Sequence, residues 1–192
     1  MEFVVRLATA RDLDAVARVT LEAYCEDGFI SPDDDYVEEL ADAVGRHRDA
    51  EVWIAARDGA VLGSVTFCSS GTPYAELARA DEGEFRMLGV TRTARRQGVA
   101  EALVTRCIER SRELGHRALV MCSMREMAAA HRLYARLGFH RLPERDWSPV
   151  PGIELVAFTR PAEPSRIPAE PSRIPVEPSQ IPAEPSPDSS QG

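Results

Sequence analysis

A seven-residue unit beginning at Pro161 returns at Pro168, Pro175 and Pro182, reading PAEPSRI, PAEPSRI, PVEPSQI and PAEPSPD, followed by SSQG. A period of seven suggests a coiled coil, but each unit carries two prolines three residues apart, and an interior proline costs a helix about 3 kcal/mol. The segment sets five acids (Glu163, Glu170, Glu177, Glu184, Asp188) against Arg166 and Arg173, with too few apolar groups to bury. It reads as a disordered arm leaning to polyproline II, an inert spacer or a ligand for a proline-recognition module. The expected division is a folded domain over 1–160 and a proline-rich tail over 161–192.

A 160-residue remainder can bury a proper hydrophobic interior. All 23 basic residues of the chain are Arg, so Walker-type phosphate binding and Schiff-base chemistry, both of which need Lys, are excluded. The net charge of −8 opposes a general affinity for nucleic acid, which requires clustered positive charge facing phosphates. No apolar run approaches the roughly 18 residues that span a bilayer, and Met1 to Leu7 leads directly into polar sequence; no membrane partner and a cytoplasmic location are expected. Cys25, Cys68, Cys107 and Cys122 are widely spaced with no Cys-x-x-Cys, which reads as buried thiols rather than a zinc cluster or disulfide framework.

Within the domain the apolar period alternates between two and 3.6. Phe3 to Leu7 reads as a strand. Thr9-x-x-Asp12 is a capping-box pattern before a helical stripe of Leu13, Val16, Thr20, Ala23 and Tyr24. Ser31-Pro32 with Asp33, Asp34 and Asp35 predicts a second helix whose acids suit its N-terminal dipole, with Val37, Leu40, Ala41 and Val44 as its apolar stripe. Asp58-Gly59 between two apolar runs predicts a hairpin, and Glu84 to Val90 a further strand. A helix carrying Val99, Leu103, Val104, Cys107 and Ile108 stops at Gly115. A buried strand over Ala118 to Cys122, a helix ending at Gly138 and a final strand over Ile153 to Thr159 complete a β-α-α-β-β-β-α-β-α-β order.

One stretch carries chemistry: Val90-Thr-Arg-Thr-Ala-Arg95-Arg96-Gln97-Gly98-Val99-Ala100, a strand end, a basic loop and a helix start rich in small residues. Successive backbone N–H groups and a helix N-terminus hold an anion, and a glycine lets it approach closely. The loop lacks the Gly-x-Gly-x-x-Gly of a dinucleotide fold.

Here the sequence resembles the GCN5-related N-acetyltransferase superfamily. Arg95-x-x-Gly98-x-Ala100 matches its pyrophosphate pattern, and Ala130-x-x-Leu133-Tyr134-x-x-x-Gly138-Phe139 its second signature. The resemblance covers roughly residues 3 to 160. It implies an α/β acyl-CoA N-acyltransferase fold, with a mixed, mainly antiparallel central sheet flanked by helices, whose fourth and fifth strands splay apart around acetyl-CoA. The pantetheine arm would run along Leu88, Gly89 and Val90, and the diphosphate on Arg95, Arg96, Gln97, Gly98, Val99 and Ala100. The implied reaction is direct attack of a primary amine, on a small molecule or peptide, with a backbone N–H near Leu88 steadying the oxyanion.

Tyr134 matches the family's general-acid tyrosine, although Met127, Ala130, Tyr134 and Leu137 are also a packing stripe at helical spacing. Glu84 lies six residues before Val90, the offset at which histone-acetylating members place their base, with His131 or a water route as alternatives. Met127 stands where many members have Asn, removing one polar contact to the cofactor. Trp147 between prolines reads as an acceptor wall over Glu144 to Gly152, and Asp146 as an ammonium partner. A catalytically silent acyl-CoA sensor with a recruiting tail is the other reading, and the sequence allows a homodimer without fixing one.

Overall fold

The computed structural model describes residues 2–26, 28–31, 33–149 and 153–162. Strand β1 (Val4–Leu7) leads through a 3-10 turn (Ala10–Asp12) into helix α1 (Leu13–Leu21). The turn forms because the Asp12 carboxylate accepts the Thr9 N–H and hydroxyl, each at 2.7 Å, while Arg6 clamps it from β1. A π-helical turn (Glu22–Glu26) prolongs α1, and such turns gather at functional sites.

The second helix is shorter than its apolar stripe suggests. It runs as α2 (Tyr36–Ala41) and α3 (Ala43–Asp49), broken at Asp42, whose side chain caps α3 by accepting the Gly45 N–H at 2.7 Å. Asp34 accepts the Tyr36 N–H at 2.8 Å, so the acids do open the helix as expected. The predicted start at Pro32 lies outside the described residues.

Strands β2 (Glu51–Arg57) and β3 (Ala60–Ser69) form the hairpin, with Asp58 and Gly59 at φ +50° and +79° in its turn. The rest is β4 (Glu82–Val90), α4 (Val99–Glu113), β5 (Ala118–Met124), α5 (Ala128–Arg136), a two-residue β6 (His140–Arg141) and β7 (Leu155–Pro161). The seven strands are ordered β1-β2-β3-β4-β5-β7-β6, antiparallel throughout except where β4 meets β5. This is the mixed, mainly antiparallel sheet that the sequence implies.

Helices cover both faces. Val99, Leu103, Val104 and Cys107 of α4, with Leu133 and Tyr134 of α5, pack on Val65, Phe67, Phe85 and Met121. Val16 and Val19 of α1 and Ala43 of α3 pack on Val52 and Ile54. Each fully buried Val or Leu contributes about 1.5–3 kcal/mol, enough for this double-sided core to hold the sheet rigid. All four cysteines are free, with Cys68 and Cys107 buried and Cys25 and Cys122 half-buried.

Strand β7 reaches into the repeat segment: Pro161 stands opposite Ala118, and the Ala162 N–H bonds the Arg117 carbonyl at 2.8 Å. The predicted disordered arm beyond Ala162 lies outside the described residues. Among those that are described, no helix is long and apolar enough to cross a membrane, and no group of three His, Cys, Asp or Glu is placed to hold a metal ion.

Candidate active site

Strands β4 and β5 pair in parallel over only three positions, Glu82 with Ala118, Gly83 with Leu119 and Glu84 with Val120. Beyond them the strands part. On the other side of β4, Ser64 stands opposite Gly89 and Thr66 opposite Arg86, so Val65 alone faces both Met87 and Leu88. That two-against-one bulge, with Met87 at φ +53°, turns β4 away from β5. The gap so made is a cavity of about 700 Å³.

Its reacting end is lined by Met87 and Leu88 of β4, Met121 to Met124 of β5, and Met127, Ala130 and Tyr134. Tyr134 is 4% exposed and sits among Phe85, Phe139 and Phe158, with ring centroids 5.8–6.0 Å apart. Burial pushes its hydroxyl well above the usual phenol range, so it stays a proton donor. Cys122 also lines the cavity, and burial holds its thiol up at about 11.

The basic loop lies at the end of the same β4. Arg96 at φ +58° and Gly98 at φ +82° are both left-handed, and Gly98 is the N-cap of α4, whose first N–H groups have no acceptor within the helix. A Cβ built on Gly98 would meet nothing within 4 Å, so the space over the helix start is open to an incoming group. The side chain of Gln97 is held by its Nε2 donating to the Thr93 carbonyl at 2.7 Å. Farther back along β4, a Cβ on Gly89 would lie 3.1 Å from the Val19 carbonyl, so α1 packs directly on the strand at that residue. The cavity lining reaches Leu88 on β4, and the open helix N-terminus with its adjacent arginines, at the end of that strand, has the donor set for a coenzyme A diphosphate.

The structure revises the assignment of Glu84. Its carboxylate does not line the cavity; Oε2 accepts the N–H groups of Glu76, Leu77 and Ala78 at 3.0, 2.8 and 2.9 Å, and Oε1 is buried without a hydrogen-bond partner. Burial raises its pKa more than these amides lower it. Such a group anchors the β3–β4 connection rather than meeting an acceptor. His131 is likewise engaged, with Nε2 3.1 Å from the Met124 carbonyl and its ring 5.0 Å from Phe158, outside the cavity lining. Asp146 is bound by Arg141 at 2.7 Å and by the Ala157 N–H at 2.7 Å, not presented to an ammonium ion. Trp147 does line the cavity, fixed by a two-way backbone bridge to Leu155, and Pro149 and Ile153 stand beside it; Val150 to Gly152 lie outside the described residues.

What the sequence did not single out is the charged end of the cavity. Arg86 of β4 bonds Glu76 at 2.9 Å, lies 3.4 Å from Glu39 and donates to the Tyr74 carbonyl at 3.2 Å. Burial works against its charge, but Tyr36, Glu76 and Glu39 outweigh that and raise its pKa. Glu76 is pushed up, chiefly by burial, with Arg86 opposing. Asp33, Asp34 and Asp35 complete this end. The Asp triplet was visible in the sequence, but helix-dipole logic accounted for it without requiring a cavity beside it.

Comparison with known proteins agrees with this fold. The model of the acetyltransferase (GNAT) family matches residues 15–139. N-acetylaspartate synthetase of Danio rerio is 33% identical over 103 residues, 53% of this chain but only 33% of that protein, so the match spans a third of that relative's length. An acetyltransferase of the GNAT family from Staphylococcus aureus Mu50 superposes with TM-score 0.68 at 12% identity, over 84% of this chain and 100% of the other. The paia N-acetyltransferase of Thermoplasma acidophilum, solved in complex with coenzyme A, gives 0.67 at 13% over 84% and 99%. yncA of Salmonella typhimurium, solved with its cofactor acetyl-CoA, gives 0.63 at 20% over 88% and 98%.

Proposed function

The chain belongs to the acetyltransferase (GNAT) family, and from that premise we propose that it is an N-acetyltransferase that uses acetyl-CoA as co-substrate and acetylates a primary amine by direct attack, with Tyr134 as general acid. Acetyl-CoA, when bound, supplies the thioester carbonyl and its thiolate leaving group. Arg95 to Ala100 hold the diphosphate by N–H groups and positive charge, and Leu88, Gly89 and Val90 line the arm. The Leu88 N–H steadies the negative charge that develops on the carbonyl oxygen.

The observation that carries this reading is the placement of Tyr134, a buried neutral phenol lining the cavity between β4 and β5. It donates its proton to the departing sulfur, a role worth roughly 10²–10⁴-fold. The acceptor's ammonium group gives its proton to solvent water as it enters the pocket, the route that needs no carboxylate beside Tyr134, since Glu76 is paired with Arg86 at 2.9 Å. Direct transfer is favoured over a covalent acyl-enzyme because the lining cysteine, Cys122, is held as thiol near neutrality. Turnover and acetyl-CoA affinity of Tyr134→Phe test the reading, and a loss of turnover at retained affinity is the predicted result.

A further inference from the structure

The two ends of the cavity are chemically unlike. The end around Tyr134 is mostly apolar, with Met87, Leu88, Met121, Met124, Met127 and Ala130 beside the Cys122 thiol and a Ser123 hydroxyl that is turned to the Met124 carbonyl, and Tyr134 itself is 4% exposed. At the other end Asp33, Asp34, Asp35, Glu39 and Glu76 face a lone cation among the described lining residues, Arg86. That guanidinium is already taken by Glu76 and Glu39. Asp34 spends one oxygen on the Tyr36 N–H, whereas Asp33 and Asp35 are exposed. Tyr36 stands at this charged end, its hydroxyl accepting from Arg86 at 3.4 Å, and Tyr24 lines the same cavity.

From this asymmetry we propose that the acceptor is an amine bearing a second cationic group, a di- or polyamine-like molecule, and not an amino acid with a free carboxylate. The proposal rests on the acetyltransferase reading and names the substrate class of that same site. The amine to be acetylated must reach Tyr134 uncharged, because an ammonium ion is disfavoured in an apolar pocket. Something else in the molecule must then supply the attraction. Excess carboxylates beside aromatic faces attract a second ammonium group, through charge and through cation–π contact. A carboxylate-bearing acceptor finds the opposite, since Arg86 is committed and the surrounding charge repels it.

The test measures coenzyme A release from the full chain with acetyl-CoA and four probes: spermidine, 1,3-diaminopropane, propylamine and L-aspartate. The two polycations should exceed propylamine about tenfold or more in kcat/KM, with L-aspartate lowest, and the preference should shrink as added salt screens the exposed acids. In the Asp33→Asn/Asp35→Asn double variant, which spares Asp34 and its bond to the Tyr36 N–H, the spermidine-to-propylamine ratio should fall several-fold, chiefly through KM. Propylamine or L-aspartate used as well as spermidine, or an unchanged ratio in the double variant, overturns the proposal while leaving the acetyltransferase reading intact. If no probe is acetylated, calorimetric titration of spermidine into the coenzyme A-saturated protein decides: binding that weakens in the double variant supports the proposal, and no binding overturns it. Failure of the protein to bind acetyl-CoA in the same calorimeter would count against the acetyltransferase reading instead.

Discussion

Glu84 Oε2 accepts the Leu77 N–H at 2.8 Å, and the same oxygen takes the neighbouring N–H groups of Glu76 and Ala78. One buried carboxylate on β4 thus ties down the connection that carries Glu76 to the cavity. Glu84→Ala should destabilise the protein by about 3 kcal/mol, because it orphans three amides at once. Glu84→Gln, whose carbonyl oxygen can serve the same amides, should retain more stability and a wild-type pH–rate profile. Burial raises the folded-state pKa of Glu84, so its favourable contribution is present below the ordinary carboxylate range and is lost as pH rises through the folded value. Chemical denaturation across that range should therefore show wild type losing stability relative to Glu84→Gln as pH rises. Loss of the ascending limb of the rate profile in a folded Glu84→Gln would return the base role to Glu84.

The loop before α4 gives a second prediction. Gly98→Glu places a carboxylate where the proposed function puts the diphosphate, in a left-handed conformation that itself costs a non-glycine residue about 1–2 kcal/mol. Acetyl-CoA affinity should fall by about 100-fold or more, whereas Gly98→Ala, whose Cβ meets no neighbour within 4 Å, should lose much less. Calorimetry on both separates charge from backbone strain. Equal affinities for the two variants would contradict the diphosphate assignment.

A third concerns the turn before Trp147. Arg145 reaches Glu82 at 2.6 Å with both side chains at least nine-tenths buried, fastening the Pro143–Arg145 turn to β4. Arg145→Met should cost about 3 kcal/mol, since it leaves Glu82 buried with the exposed Arg117 as its remaining charged partner. Although burial alone would raise the Glu82 pKa, Arg145, the Arg79 N–H and Arg117 together bring it below the usual carboxylate value. The stabilisation is thus present above the unfolded-state pKa and lost as pH falls through the folded one. Denaturation midpoints of wild type and Arg145→Met should converge in acid, and a constant gap would refute the linkage.

The fold was legible wherever a local rule sufficed. The Thr9–Asp12 box, the Asp58-Gly59 hairpin and the glycine stops after α4 and α5 each depend on neighbours in the chain. The broken second helix was not legible, because Asp42 ends α2 by turning to cap α3 while Leu40 and Val44 keep the apolar spacing of a continuous helix. The site divides in the same way. The Arg95–Ala100 loop and Tyr134 carry motifs, whereas Arg86, Glu39 and Glu76 meet only because the β4 bulge, α2 and the β3–β4 connection converge in space. The surroundings of Glu84 were not legible for a related reason. Its offset along β4 is right for a base, but the three amides that occupy it come from another segment.

The central claim is that Tyr134 acts through its hydroxyl and not merely through its ring. Tyr134→Phe keeps the ring against Phe85, Phe139 and Phe158 and removes one oxygen, so stability should change by about 1 kcal/mol or less. Turnover with the best acceptor should fall about 100-fold or more while acetyl-CoA affinity holds, the mark of an interaction made mainly in the transition state. Steady-state kinetics and calorimetry on one purified Tyr134→Phe preparation measure both, and wild-type turnover in that folded variant would contradict the account.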